Sequence, residues 1–289
     1  MIKLYSYGKI NLFLNIEGRL QNGYHRIKTV MQSIDLRDEI HITELLGNNT
    51  VIECSDKSIP TDFRNTCTKA ADLIKQQYSI DAGLKIEIKK TIPSGAGLAG
   101  GSGNSAAVIK GLDRLWKLKM SEEEMHKIGL KIGADVPFCI SGGTYLAEGI
   151  GEKLTRLEKF KWDNILIVKP NFSMSTAYVY KNLSPEMYNL YPNNEILSFL
   201  EKHDYAAVAN SVANTLERVV EGMRPEIIVI KKIMKNHNAV SSMMTGSGSA
   251  VFGLFKDEAS MNSAYDELKK TYIHTYKTVT IDRGIDFCD

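Results

Sequence analysis

The sequence predicts a two-domain α+β protein. At 289 residues the chain is about twice the usual length of one domain. Its first half interleaves alternating strand patterns with helical runs, and beyond Gly151 the character shifts to a buried strand and long amphipathic helices. No internal repeat or long linker separates the halves. A second domain is expected to begin near Lys161, giving units of 1–160 and 161–289 that pack closely and share a cleft.

The elements follow in order. "IKLYSY" and "INLFLNIEGR" have strand character, and Asn22-Gly23 in "QNGYH" is a hairpin-turn signal. "NTCTKAADLIKQQY" places Ala70, Leu73, Ile74 and Tyr78 near helical spacing, and "LKIEIKK" alternates Leu84, Ile86 and Ile88 with charges as a half-exposed strand does. "AAVIKGLDRLWKL" sets Val108, Ile109, Leu112, Leu115 and Trp116 on one helical face, and Ser121 with Glu124 makes a capping box for the next helix. In the second half "NILIVKP" reads as a buried strand, "NEILSFLEKHDYAAVANSV" and "PEIIVIKKIMKN" as long helices, and "VSSMMTGSGSAVFGLF" as a return to strand.

Composition excludes several classes of function. Lys plus Arg number 36 against 34 Asp plus Glu, a net charge of +2 that asks for neither nucleic acid nor an anionic membrane. Cys54, Cys67, Cys139 and Cys288 are scattered without zinc-ligand spacing, so reduced thiols are expected. The first residues lack the apolar core of a signal peptide and no run is long enough to span a bilayer, so a cytoplasmic protein is expected, a monomer or weak homodimer. His41, His126, His203, His237 and His274 have no partner visible in the sequence and read as surface or satisfied core.

"PSGAGLAGGSGNSAA", Pro93 to Ala107, gives up nearly all its side chains between a strand and a helix. Such a turn presents unpaired N–H groups, and without Cβ atoms a phosphate can approach closely enough to accept several of them. A flexible surface turn is the competing explanation, but an amphipathic helix follows directly. The stretch has no Gly-Lys-[Ser/Thr] ending, so it is not a Walker A loop. Gly95, Gly97 and Gly100 satisfy GxGxxG, yet Asp113 lies inside a helical run rather than at the end of a second strand, which disfavours a dinucleotide site.

"GKINLFL", "PSGAGLAGGSG", "GADVPF" and "TGSGSAVFG" together resemble the ordered motifs of the GHMP kinase superfamily, small-molecule kinases related to the galactose, homoserine and mevalonate kinases. The resemblance runs through nearly the whole chain, tightest over 8–36 and 93–157 and thinnest over 188–237. "NGYH" close behind "KINL" is similar to one branch, whose substrate carries a cytidine diphosphate group. The resemblance implies a ribosomal-protein-S5-domain-2-like N-terminal domain, a ferredoxin-like-type C-terminal domain, ATP as co-substrate and Mg2+.

It also implies roles. Pro93, Gly95, Ala96, Gly97, Leu98, Ala99, Gly100, Gly101, Ser102 and Gly103 would hold the ATP phosphates. Asn65 would meet adenine, though an Asn N-cap explains it almost as well. Asp135 would take the proton of the acceptor hydroxyl with Lys9 as its charge partner; a helix cap and a solvated strand end are the competing explanations. Tyr24, His25 and Tyr180 would receive the cytosine, and Asn11 and Thr176 the rest of the acceptor. The common wording "GLGGGSSDAA" differs here at Ala99, Gly103, Asn104 and Ser105, and Asn104 leaves Ser102 as the one protein oxygen from this loop expected near the metal. Another GHMP kinase, such as a homoserine or mevalonate enzyme, and a non-catalytic RNA-binding or metabolite-sensing relative are the rival functions.

Overall fold

The computed structural model describes residues 1–192 and 195–288. Strands β1 (Ile2–Arg19) and β2 (His25–Leu45) form a long antiparallel hairpin, closed where the Leu20 N–H donates to the Tyr24 carbonyl at 2.7 Å and Gly23 takes φ 86°. Then come β3 (Thr50–Cys54), α1 (Thr66–Tyr78), β4 (Gly83–Lys89), α2 (Gly100–Trp116), α3 (Glu122–Leu130), α4 (Val136–Ser141), β5 (Thr144–Gly149) and β6 (Lys153–Arg156). The second half holds β7 (Ile165–Lys169), α5 (Thr176–Lys181), α6 (Ile196–Glu201), α7 (Tyr205–Asn210), β8 (Ala213–Asn214), α8 (Thr215–Met223) and α9 (Glu226–Asn236). It ends with β9 (Ser241–Met244), β10 (Val251–Leu254), α10 (Glu258–Leu268), β11 (His274–Thr278) and β12 (Ile285–Phe287).

Two sheets organise these elements. The first runs β12-β1-β2-β4-β3, with β5 and β6 continuing from β2. The second is antiparallel in the order β11-β7-β10-β9, the ferredoxin-like arrangement that the resemblance implies. The chain does not stay divided between them, because β8 pairs in parallel with β1 and the final strand β12 returns to β1.

Burial explains why β1 alternates so poorly. Leu4, Ile40, Ile42 and Ile86 pack under α1 and α2 with Ala70, Ile74, Val108 and Ile109, whereas Ile10, Leu12 and Ile34 pack against Ile165, Ile167 and Phe252 of the second sheet. Leu4 and Ile10 have the same parity yet face opposite ways. The strand pair turns over at the register shift between Tyr7 and Gly8, where Asp35 and Leu36 of β2 have no partner on β1.

Two expectations are corrected. The stretch 194–212 is two six-residue helices rather than one long one: His203 takes φ 55° and Asp204 restarts the helix by accepting from the Ala207 N–H at 3.0 Å. Its first residue, Asn194, lies outside the described residues. Ser121 caps the Glu124 N–H at 3.2 Å, but the Glu124 carboxylate turns to the Tyr78 hydroxyl at 2.5 Å instead of completing a box. The five histidines are surface or satisfied, as expected, and their partners are now visible: His41 with Glu39, His126 with Ser141, His203 with Tyr205, His237 with Glu267 and His274 with Tyr276.

The cysteines are free thiols, and burial pushes Cys67 up to about 12 and Cys139 well above the usual thiol range, so neither is a nucleophile. Among the described residues no helix is long and apolar enough to cross a membrane.

The returning tail sits very close to α4. A Cβ on Gly284 would lie 1.9 Å from the Cys139 carbonyl oxygen. Gly284→Ala is therefore expected to lower stability by about 2–3 kcal/mol, read as a lower midpoint in denaturant at unchanged slope.

Candidate active site

The glycine-rich loop joins β4 to α2, and its backbone is used in one direction only. The Ala96 carbonyl accepts from the Ala250 N–H at 3.1 Å, the Leu98 carbonyl from the Lys9 N–H at 3.1 Å, and the Ala99 carbonyl from the Gly103 N–H at 2.8 Å. By contrast, the N–H groups of residues 95 to 102 meet no acceptor among the described residues. They border a cavity of about 1410 Å³ at the N-terminus of α2, where the helix dipole also favours an anion.

Left-handed residues shape this cradle, with φ 61° at Gly95, 75° at Gly97 and 57° at Ala99. At Gly97 no side chain could enter, because a Cβ would lie 2.2 Å from the Thr245 carbonyl oxygen of the loop after β9. Pro93, Ala96, Leu98, Ala99, Gly100, Gly101 and Ser102 also line the cavity. Gly103 does not, which corrects its expected phosphate contact. It faces β1, where a Cβ would stand 3.3 Å from the Tyr7 carbonyl, so its smallness lets α2 lie on the sheet.

Lys9 follows the register shift in β1 and is 4% exposed. Its ammonium donates to Asn11 Oδ1 at 2.6 Å and lies 3.8 Å from Asp135 Oδ2. Asp135 occupies the N-cap position of α4, yet its side chain caps nothing and stays 39% exposed, so the helix-cap explanation fails. Asn11 is buried between Lys9, Thr29 Oγ1 at 2.8 Å and the Thr245 hydroxyl, which accepts its N–H at 2.9 Å. Its oxygen accepts from Lys9 and, at 3.3 Å, from the Thr245 hydroxyl, which helps to aim the ammonium.

An aromatic cluster forms another part of the wall. The His25 ring lies 5.3 Å from that of Tyr180 and 5.8 Å from that of Tyr188, whose hydroxyl is 3.3 Å from His25 Nε2. Tyr24 stands 61% exposed at the mouth. Burial and the charge of Asp135 push the Tyr180 hydroxyl up, so it stays protonated. Thr176, at the start of α5, meets the Ser247 hydroxyl at 2.9 Å and so joins α5 to the loop after β9.

Two further features bear on the site. Asn65 borders the cavity, but its oxygen caps the Cys67 N–H at 2.9 Å and its nitrogen donates to the Pro60 carbonyl at 2.8 Å. Lys90, absent from the sequence-level candidates, also lines the cavity and is paired with Asp38. The signal was present: Leu84, Ile86 and Ile88 face inward, and extending that alternation by one step places Lys90 on the same face. Among the described residues no group of three His, Cys, Asp or Glu side chains could hold a metal. The Ser102 hydroxyl lines the cavity at the loop, and a magnesium ion carried in on phosphates needs few protein ligands, so the residues present fit one.

Residues 65–143 match the family described as GHMP kinases N terminal domain, and 196–274 match GHMP kinases C terminal. The chain is 44% identical to a 4-diphosphocytidyl-2-C-methyl-D-erythritol kinase of Clostridioides difficile (strain 630), over 99% of this chain and 98% of the relative. The chain belongs to this family of GHMP kinases. A crystal structure titled as 4-(cytidine 5'-diphospho)-2C-methyl-D-erythritol kinase superposes with a TM-score of 0.82 at 26% identity, covering 96% of this chain and 98% of that one. A homoserine kinase from Cytophaga hutchinsonii ATCC 33406 reaches 0.80 at 17% identity, covering 99% and 97%, so the shared GHMP kinase fold does not by itself separate the branches.

His25 is the titratable group of the aromatic wall, and burial together with Arg19 lowers it from the ordinary 6.5. The folded chain therefore binds fewer protons there than the unfolded one, so this histidine's contribution to stability is present above 6.5 and shrinks as pH falls below it. Its ring resonances are expected to titrate with a midpoint below 6.5, moving upward in Arg19→Gln.

Proposed function

We propose that the chain transfers the γ-phosphoryl group of ATP to the 2-hydroxyl of 4-diphosphocytidyl-2-C-methyl-D-erythritol, giving the 2-phosphate and ADP, a step of non-mevalonate isoprenoid biosynthesis. The observation that carries this reading is a single cavity holding eight unclaimed loop amides, the Lys9–Asp135 pair and the His25–Tyr180–Tyr188 cluster. The Lys9 backbone touches the loop through Leu98, and Asp135 lines the same cavity as Tyr180, which supports a pair that bridges the phosphate cradle and the aromatic wall.

Phosphoryl transfer needs alignment and charge neutralisation more than covalent help. The loop amides from Gly95 to Ser102 hold the phosphates. Asp135 accepts the proton of the 2-hydroxyl, and Lys9, held by Asn11, stabilises the oxygen as it becomes negative. Tyr24, His25 and Tyr180 take the flat cytosine, and Asn11 and Thr176 hold the erythritol end of the acceptor or its diphosphate. Ser102 would hold a Mg2+ carried on the ATP phosphates, which would supply neutralisation of their charge. Residues 1–160 form the ATP-binding domain, 161–289 close the cleft, and the compartment is the cytoplasm.

A homoserine- or mevalonate-type activity leaves the aromatic wall without a purpose, and an RNA-binding role leaves Lys9 and Asp135 without one. Coupled ADP release separates the three. Turnover is expected with the cytidine substrate and not with homoserine or mevalonate, and Asp135→Asn should lower kcat by about 10²–10⁴-fold. Turnover with either control would overturn the substrate assignment, and an active Asp135→Asn would remove the proposed base.

A further inference from the structure

We propose that Asp38, which no contact with substrate implicates, is the positioning residue of the glycine loop: one buried carboxylate ties the loop's entry to its exit and so sets the spacing of the unclaimed amides. This rests on the ATP site proposed above.

Asp38 lies on β2 in the inward-facing series Leu36, Asp38, Ile40, Ile42 and is 0% exposed. A charge so placed is strongly unfavourable unless every lone pair is used. Oδ1 accepts the Thr91 N–H at 2.7 Å and the Ile92 N–H at 2.9 Å, clamping the chain as it enters the loop. Oδ2 accepts the Lys90 ammonium. The amide orientation of Asn104 that gives both its ends a partner puts its nitrogen 2.8 Å from the same Oδ2 and 2.9 Å from the Gly100 carbonyl, clamping the first turn of α2.

Asn104 stands where the resembled motif commonly has an acidic residue. A carboxylate at 104 would face the Asp38 carboxylate at hydrogen-bond distance, whereas the amide donates to it. Asp38 also restrains Lys90, whose ammonium stands 2.9 Å from where a Cβ on Gly100 would be. Without that carboxylate a cation would press on the positive end of α2.

A residue that merely supports the fold would affect both substrates alike. Asp38→Asn keeps the shape and an acceptor for Thr91 and Ile92 but removes the charge. The Kd of ADP by calorimetry and the KM of ATP are expected to rise about tenfold or more, while the KM of the cytidine substrate stays within about twofold. Asn104→Ala, a milder change that removes only the exit clamp, should raise the ATP KM about threefold. Combining Asp38→Asn with Asn104→Asp returns a charge to the same bond and should recover part of the lost ADP affinity.

Equal losses for both substrates, or no recovery in the exchanged pair, would overturn the proposal. If Asp38→Asn fails to fold, an unchanged ATP KM in Asn104→Ala overturns it. Absence of ADP binding by the unaltered protein would overturn the functional reading, and this inference with it.

Discussion

A backbone amide can hold a phosphate only if nothing inside the protein has already taken it. The arrangement around the glycine loop follows from that requirement. Its carbonyls are paired with Lys9, Ala250 and Gly103, while its amides from 95 to 102 are left toward the cavity. Turning successive peptides this way takes left-handed backbone at Gly95, Gly97 and Ala99, of which only Ala99 carries a side chain. An unpaired donor is tolerable where water or an anion can reach it, which is why the loop borders an open cavity rather than the core.

The same requirement links the phosphate cradle to the chemistry. Because the Lys9 N–H is what satisfies Leu98, the residue beside Asp135 is positioned by the loop it serves. The second half of the chain enters through Thr245, whose hydroxyl accepts the Asn11 N–H and whose carbonyl occupies the space beside Gly97. That loop is itself braced, with Asn214 donating to the Met244 and Gly246 carbonyls and the Glu217 carboxylate, paired with Lys231, accepting the Met244 N–H. Motifs distant in sequence are thereby made one rigid wall, as in-line transfer demands.

Much of this was legible without coordinates. The strand alternation in "LKIEIKK", the Asn-Gly hairpin and the glycine loop leading into a helix are local signals, and each appears where its period or turn chemistry places it. The same alternation, carried one step further, pointed to Lys90, and an Asp among Leu36, Ile40 and Ile42 was a charge at an inward position. The break at His203 was less visible, because a helical pattern of apolar residues runs through it.

The sequence by itself determined the family of the chain, its mixed α and β character, the glycine loop that opens a helix and part of the cavity lining. Tertiary structure decided which of those residues are free to act. Asn65 spends both ends of its amide on its own neighbourhood, Gly103 faces the sheet, and Asp135 leaves its cap position unused and points to Lys9. The difference is physical: periodicity and turn chemistry are short-range and can be read along the chain. Whether a buried polar group has a partner depends on atoms brought together from far apart, such as Asp38 with Ile92 and Asn11 with Thr245, and only folding supplies them.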